Sequence, residues 1–261
     1  MKRIATKLKD GKLSVGIQSK GALIAMNALG KAGYDFVVID MMWGTLAWES
    51  LHHNILAARQ ANLAPLVRID AFPWAEGGDD RRIAVDTAHA FSLGAGGVCA
   101  SVSSVGEVMQ MSKAMADGHQ MGDIPLDPKL RSHREERTLG IFPIIESTEA
   151  YRDLEKILDV PGVVAPFLGC TDLAKQAGHP FDPEHPEVWR LVDKAVHLAA
   201  QRGKTIMANT SFPFNTMASM TARIDRLHEH GVNIVMMQPD YFVLYCASKE
   251  VLDGLRDRKQ A

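Results

Sequence analysis

The stretch Leu93-Gly94-Ala95-Gly96-Gly97-Val98-Cys99-Ala100-Ser101 sets three glycines directly in front of a short apolar run. A dinucleotide-binding loop needs its glycines after a strand and at the opening of a helix, because the pyrophosphate rests on the helix N-terminus. Here the order is reversed. The glycines follow a helical stretch and lead into Gly97–Ser101, which reads as a buried strand. They make a tight helix-to-strand turn, and no nucleotide site is implied.

Seven further runs share the character of Gly97–Ser101: Leu13–Gln18, Phe36–Asp40, Pro65–Ile69, Gly140–Ile145, Val163–Leu168, Thr205–Asn209 and Asn233–Met237. Amphipathic stretches separate them, among them Trp48–Asn62, Val105–Ala116, Thr148–Leu158, Glu187–Arg202 and Met217–His230, with a last one near Ser248–Arg258. Continuous apolar strands alternating with helices require parallel pairing through crossover helices. Eight such units in 261 residues predict an α/β fold, a single (β/α)8 TIM barrel occupying residues 1–261 as one domain. An open doubly wound sheet is the other arrangement that the alternation alone allows. The segment His119–Arg137, with Pro125, Pro128 and the charged run Arg131–Arg137, breaks the pattern. It reads as a long loop, either a solvated connection or a lid or subunit contact.

Hydrophobic residues make up 46% of the chain, enough for one sizeable core. Lys and Arg number 29 against 31 Asp and Glu, so no broad positive field exists to attract a nucleic-acid backbone or an anionic membrane. The opening MKRIATKLKDGKLSVGI carries charge but no signal-like apolar core. No later run approaches the ~20 apolar residues that span a bilayer. Cys99, Cys170 and Cys246 are far apart and lack the paired spacing of a zinc site or redox motif. A reducing cytoplasm is the expected location.

In barrels the reactive residues stand at the carboxyl ends of the strands. That rule selects Asp40 with Met41, Met42, Trp43 and Gly44 after it, then Arg68, Glu146, Asp172 and Asn209. Glu146 and Asp172, from neighbouring strand ends, supply oxygen ligands suited to a hard cation such as Mg2+ or Mn2+. Each alone also fits a helix-start role, Glu146 before Ser147-Thr148 and Asp172 before a short helical turn. Arg68 closes a buried strand, where a guanidinium is costly unless it meets an anion. An ion pair with Asp40 on the adjacent strand is the structural explanation, and an arginine so oriented still offers donors to a substrate. A Schiff-base mechanism needs a lysine at this face. Lys204 and Lys175 are misplaced for it, and Lys20 reads more readily as a solvated residue. His52 and His53 read as helix surface, and Cys170 as a small buried side chain.

The ordered set GYDFVVID (Gly33–Asp40), PLVRI (Pro65–Ile69), LGAGGV (Leu93–Val98), IIES (Ile144–Ser147), VPGV (Val160–Val163) and LGCTDLA (Leu168–Ala174) resembles the HpcH/HpaI family of metal-dependent, class II 2-oxo acid aldolases. The resemblance covers most of the chain. It implies a barrel that cleaves 4-hydroxy-2-oxo acids through a pyruvate enolate, with a divalent metal (Mg2+, Mn2+ or Co2+) on Glu146 and Asp172. It further implies that Arg68 stabilises the enolate oxygen and that backbone N–H groups along Asp172-Leu173-Ala174 receive the 2-oxo acid carboxylate. A homo-oligomer, commonly a hexamer with a helix packed between neighbours, belongs to the same expectation. The chain also departs from the family. Met42 and Trp43 occupy the positions of an acidic residue and the proton-transferring histidine, and Ile144 replaces a glutamine. Trp43 is expected either to line the active mouth or to pack under the loop after the second strand, and Met41 and Met42 either fill the core or shape an apolar pocket for the aldehyde-type acceptor. Oxaloacetate-type decarboxylation at the same site, or a catalytically reduced ligand-binding barrel, are the alternatives that this loss leaves open.

Overall fold

The computed structural model describes residues 2–44, 46–70, 80–121, 139–210 and 214–257. Eight strands pair in chain order and close on themselves: β1 (Ser14–Ser19), β2 (Phe36–Asp40), β3 (Ala64–Arg68), β4 (Gly97–Ser101), β5 (Gly140–Ile145), β6 (Phe167–Leu168), β7 (Met207–Asn209) and β8 (Ile234–Pro239). Every pairing is parallel, including β8 back to β1. The fold is the (β/α)8 TIM barrel that the alternation predicts.

The helices among the described residues are α1 (Lys2–Lys9), α2 (Leu23–Ala32), α3 (Trp48–Gln60), α4 (Asp80–Ser92), α5 (Val105–Met121), α6 (Thr148–Arg152), α7 (Leu154–Asp159), α8 (Cys170–Gln176), α9 (Pro186–Ala200), α10 (Met217–Glu229) and α11 (Asp240–Asp257). None of them is long and apolar enough to cross a membrane. The glycine cluster falls where its order requires. The amides of Leu93, Gly94 and Ala95 close the end of α4 onto His89, Phe91 and Ala90, with Gly94 at φ +96. Gly97 then opens β4, where an added Cβ would stand 2.7 Å from the Phe142 ring and 2.8 Å from Leu66.

Three element boundaries differ from expectation. The run Val163–Leu168 forms only the two-residue β6, preceded by an isolated bridge between Val163 and Ile141. Pro166 has no N–H to give to a ladder and interrupts it. The helix expected near Ser248 begins at Asp240, because Tyr241–Cys246 is apolar on several faces and hides its helical period. Helix α5 extends to Met121, so the first residues of His119–Arg137 are helical, and 122–138 lie outside the described residues.

Strand side chains alternate between two faces, and here they form two separate apolar clusters. Val37, Ile39, Val67, Val98, Ile141, Ile145 and Val235 join the helices in an outer layer. Phe36, Val38, Leu66, Cys99, Phe142, Ile144, Phe167, Met207, Ile234 and Met236 fill the interior. Ile4 of α1 is buried in this inner cluster, and Lys7 holds Asp35 at 2.6 Å, so α1 plugs one end of the barrel. Truncating an interior phenylalanine such as Phe142 to alanine would cost about 3–5 kcal/mol.

Candidate active site

Two residues beyond the last apolar interior side chain, the same alternation delivers Asp40, Arg68, Ser101, Glu146, Asn209 and Gln238; β1, with Gly16 in the interior position, delivers Gln18, and β6 delivers Gly169, which has no side chain. The interior changes from apolar to polar in one step, at the carboxyl end. Arg68, Glu146 and Asp172 share a cavity of about 210 Å3 there, together with Gln18, Asn209 and Gln238.

Glu146 is 7% exposed and accepts from Ser101 Oγ at 2.6 Å. Burial pushes its pKa up; the Ser101 hydrogen bond and the Arg68 charge oppose this, and Asp172 adds to it. Asp172, in the first turn of α8, is also raised by burial, against Lys175 and Arg68. The helix-start explanation does not account for Glu146. Ser147 caps α6 by accepting from Ala150 N at 3.1 Å, while Glu146 turns inward to Ser101.

A divalent cation fits this donor set. Two carboxylates whose charged forms burial disfavours gain most from a positive charge between them. Gly169 leaves the necessary room: a Cβ there would lie 2.8 Å from Glu146 Cβ and 3.2 Å from its Oε2. A second cluster, His179, His185 and Glu187, has potential ligand atoms within 4.8 Å of one another. Its geometry has another cause. His185 Nδ1 accepts the Glu187 amide at 3.2 Å to cap α9, and the two imidazoles stack 3.4 Å apart at 16°, which keeps their in-plane lone pairs from converging.

Arg68 lines the cavity, and its Nε is buried with no hydrogen-bond partner among the described residues. The expected ion pair with Asp40 is absent, although the two residues face each other in the β2–β3 register. Asp40 is fully buried and saturated from elsewhere. Gln18 Nε2 and Lys20 Nζ donate to Oδ2, the latter at 2.9 Å. The amides of Met42 and Trp43 donate to Oδ1 at 3.0 and 3.2 Å. Lys20 is thus an ion-pair partner with a side chain only 26% exposed, not a solvated residue.

Two other placements sharpen the sequence expectations. The Leu173 amide donates to Gly169 O at 2.9 Å, closing the first turn of α8, so it is not available to a substrate carboxylate; Ala174 follows it inside the same helix and is buried. Within Asp172-Leu173-Ala174 only Asp172 precedes that first helical bond. Trp43 is 62% exposed and borders the cavity, whereas Met42 is half-buried beside it. Sequence reasoning did not single out Gln18 or Ser101. Both follow from applying the carboxyl-end rule, which selected the equally uncharged Asn209, to β1 and β4 as well.

Comparison with known proteins agrees with this architecture. The 2-dehydro-3,6-dideoxy-6-sulfogluconate aldolase of Pseudomonas putida is 24% identical over 97% of this chain and 96% of its own length. The 2-keto-3-deoxy-L-rhamnonate aldolase of Escherichia coli O157:H7 is 24% identical over 76% of this chain and 75% of its own. The crystal structure of the citrate synthase SbnG superposes with a TM-score of 0.79 at 21% identity, covering 98% of each chain, which shows a shared fold. The model of the HpcH/HpaI aldolase/citrate lyase family matches residues 18–239, from the first polar strand end to the last strand, and the chain belongs to that family of lyases.

Proposed function

We propose that this chain is a metal-dependent carbon–carbon lyase acting on 4-hydroxy-2-oxo acids, or a related 2-oxo acid, through a pyruvate enolate. The observation that carries the proposal is the meeting of Glu146, Asp172 and Arg68 on one small cavity at the carboxyl end of the barrel. Glu146 and Asp172 would hold the divalent cation, Mg2+ or Mn2+ by the hardness of their oxygens, which when bound supplies Lewis-acid polarisation of the 2-oxo group. Arg68, whose Nε is without a partner among the described residues, would direct its guanidinium at the charge that develops on the 2-oxo oxygen. Ser101 fixes the orientation of Glu146, and the open start of α8 around Thr171 and Asp172 suits the substrate carboxylate. The named activities of the relatives, aldolases for sulfogluconate- and rhamnonate-derived oxo acids, support the aldol class.

Trp43 and Met42 carry no group that exchanges a proton near neutral pH. That favours one secondary activity, decarboxylation of oxaloacetate, which uses the same charge stabilisation with less acid–base help. The test is calorimetric titration with Mn2+ followed by oxaloacetate turnover. Binding and turnover in the wild type, both lost in Glu146→Ala and Asp172→Ala, are expected; a protein that neither binds Mn2+ nor turns over oxaloacetate would overturn the proposal.

Self-association belongs to the same proposal. Leu244, Tyr245, Val251, Leu252 and Leu255 are exposed along α11 at spacings that form one stripe. A second copy of the chain is the occupant that we propose, and light scattering showing a stable monomer would exclude it.

A further inference from the structure

A second, wider chamber of about 620 Å3 adjoins the inner cavity and shares Gln18, Trp43 and Arg68 with it. Lys20, Gly44, Pro239 and Tyr241 complete its described lining. Two cations face this space, and among the described residues no carboxylate lines it. Asp40 is fully buried beneath Lys20. Asp240, which opens α11 nearby, is turned to Ser19 Oγ at 2.6 Å and to the Tyr241 amide at 2.8 Å.

Lys20 is built to act outward. An ammonium has three N–H donors, and one goes to Asp40 at 2.9 Å, which fixes the nitrogen at the chamber wall. Asp40 does not depend on the other two, since both its oxygens also receive Gln18 and two backbone amides. The Lys20 side chain retains 26% exposure, toward the chamber that it lines. Trp43 and Tyr241 are both more than half exposed and give that chamber broad apolar walls.

We infer that the outer chamber receives an acceptor aldehyde bearing a terminal anionic group, a carboxylate, sulfonate or phosphate, and that Lys20 is the specificity-determining residue that holds that group. The inference rests on the inner cavity being the 2-oxo acid site, which commits Arg68 to that substrate and leaves Lys20 as the cation for the acceptor. Its carbon chain then crosses the Trp43 and Tyr241 faces.

Succinic semialdehyde and butanal, which differ by a terminal carboxylate in place of a methyl group, separate the outcomes. Their affinities, read by quenching of tryptophan fluorescence, are expected to favour succinic semialdehyde by about tenfold in the wild type, less at high salt. Lys20→Met abolishes the preference and Lys20→Arg keeps most of it. The charge-balanced double variant Lys20→Met/Asp40→Asn shows the same loss without an unpaired buried carboxylate, and so covers a Lys20→Met protein that fails to fold. Equal affinity for both aldehydes in the wild type, or a preference surviving in the double variant, overturns the inference. Oxaloacetate turnover by the wild type is measured alongside. Its absence sinks the account of the inner cavity, while the aldehyde contrast is still judged on binding alone.

Discussion

The two walls of the mouth manage buried carboxylates in opposite ways. On the β1–β2 wall, Asp40 receives four donors, one of them a cation, and its charge is settled within the protein. On the β5–β6 wall, Glu146 receives one described donor, Ser101, and burial holds its pKa up, with Asp172 raised beside it. A folded protein that saturates one carboxylate and leaves a neighbouring pair short of positive charge separates a structural acid from a ligand-binding one.

Removing the unsettled charge should have the largest effect. Glu146→Gln keeps the shape and is expected to weaken Mn2+ binding beyond the roughly 10–100-fold that loss of a supporting hydrogen bond costs. Calorimetry checks it, and an unchanged isotherm would erase the contrast between the walls. Ser101→Ala tests the support itself. Mn2+ affinity should fall by about 10–100-fold while the thermal melt of the chelated protein stays cooperative.

The opposite wall should respond in selectivity. Trp43→His, alone and with Met42→Glu, is expected to raise aldol turnover with small polar aldehydes relative to bulky apolar ones, within roughly tenfold. A constant ratio in both variants would make Trp43 a passive rim.

The gentlest signal is the pH dependence of stability without metal. Burial raises Glu146 and Asp172 in the folded state, so on raising the pH the unfolded chain loses these protons first, from about 4 upward. The stability they contribute is complete below that point and declines as pH rises through their folded values. Thermal melts in chelator should show this decline, and Glu146→Gln should flatten it; a rise in melting temperature over that interval would contradict the burial account.

The fold was legible because eight apolar runs and one glycine cluster each carried a local cause, and Glu146, Asp172 and Arg68 were legible because charge at a strand end is conspicuous. What escaped was relational. Asp40 and Arg68 stand side by side in register, yet Asp40 takes Lys20, which lies on its other side, one step beyond the Ser19↔Ile39 pair of β1 and β2, and sequence spacing gives no sign of which neighbour it takes. The Leu173 amide looked available until the start of α8 was fixed at Cys170, which makes Leu173 the first residue whose N–H closes a turn. Trp43 could have packed under its loop; the Asp40 bonds to the Met42 and Trp43 amides instead turn that loop so that the indole is exposed.

The brevity of β6 has a mechanical meaning. β5 and β6 meet over the pairs Ile144↔Phe167 and Ile145↔Leu168, with the isolated Ile141↔Val163 bridge before them, and β6 and β7 over two pairs, whereas β2 and β3 run together from Phe36↔Ala64 to Asp40↔Arg68. The barrel therefore has a seam, and local opening should begin there. Glu146 and Asp172 lie on either side of it. A cation gripping both would act as a rivet across the weakest joint, and amide exchange in 163–169 is expected to slow on adding Mn2+ more than exchange in β2 or β3. Ligand binding and closure of the wall would then be a single event.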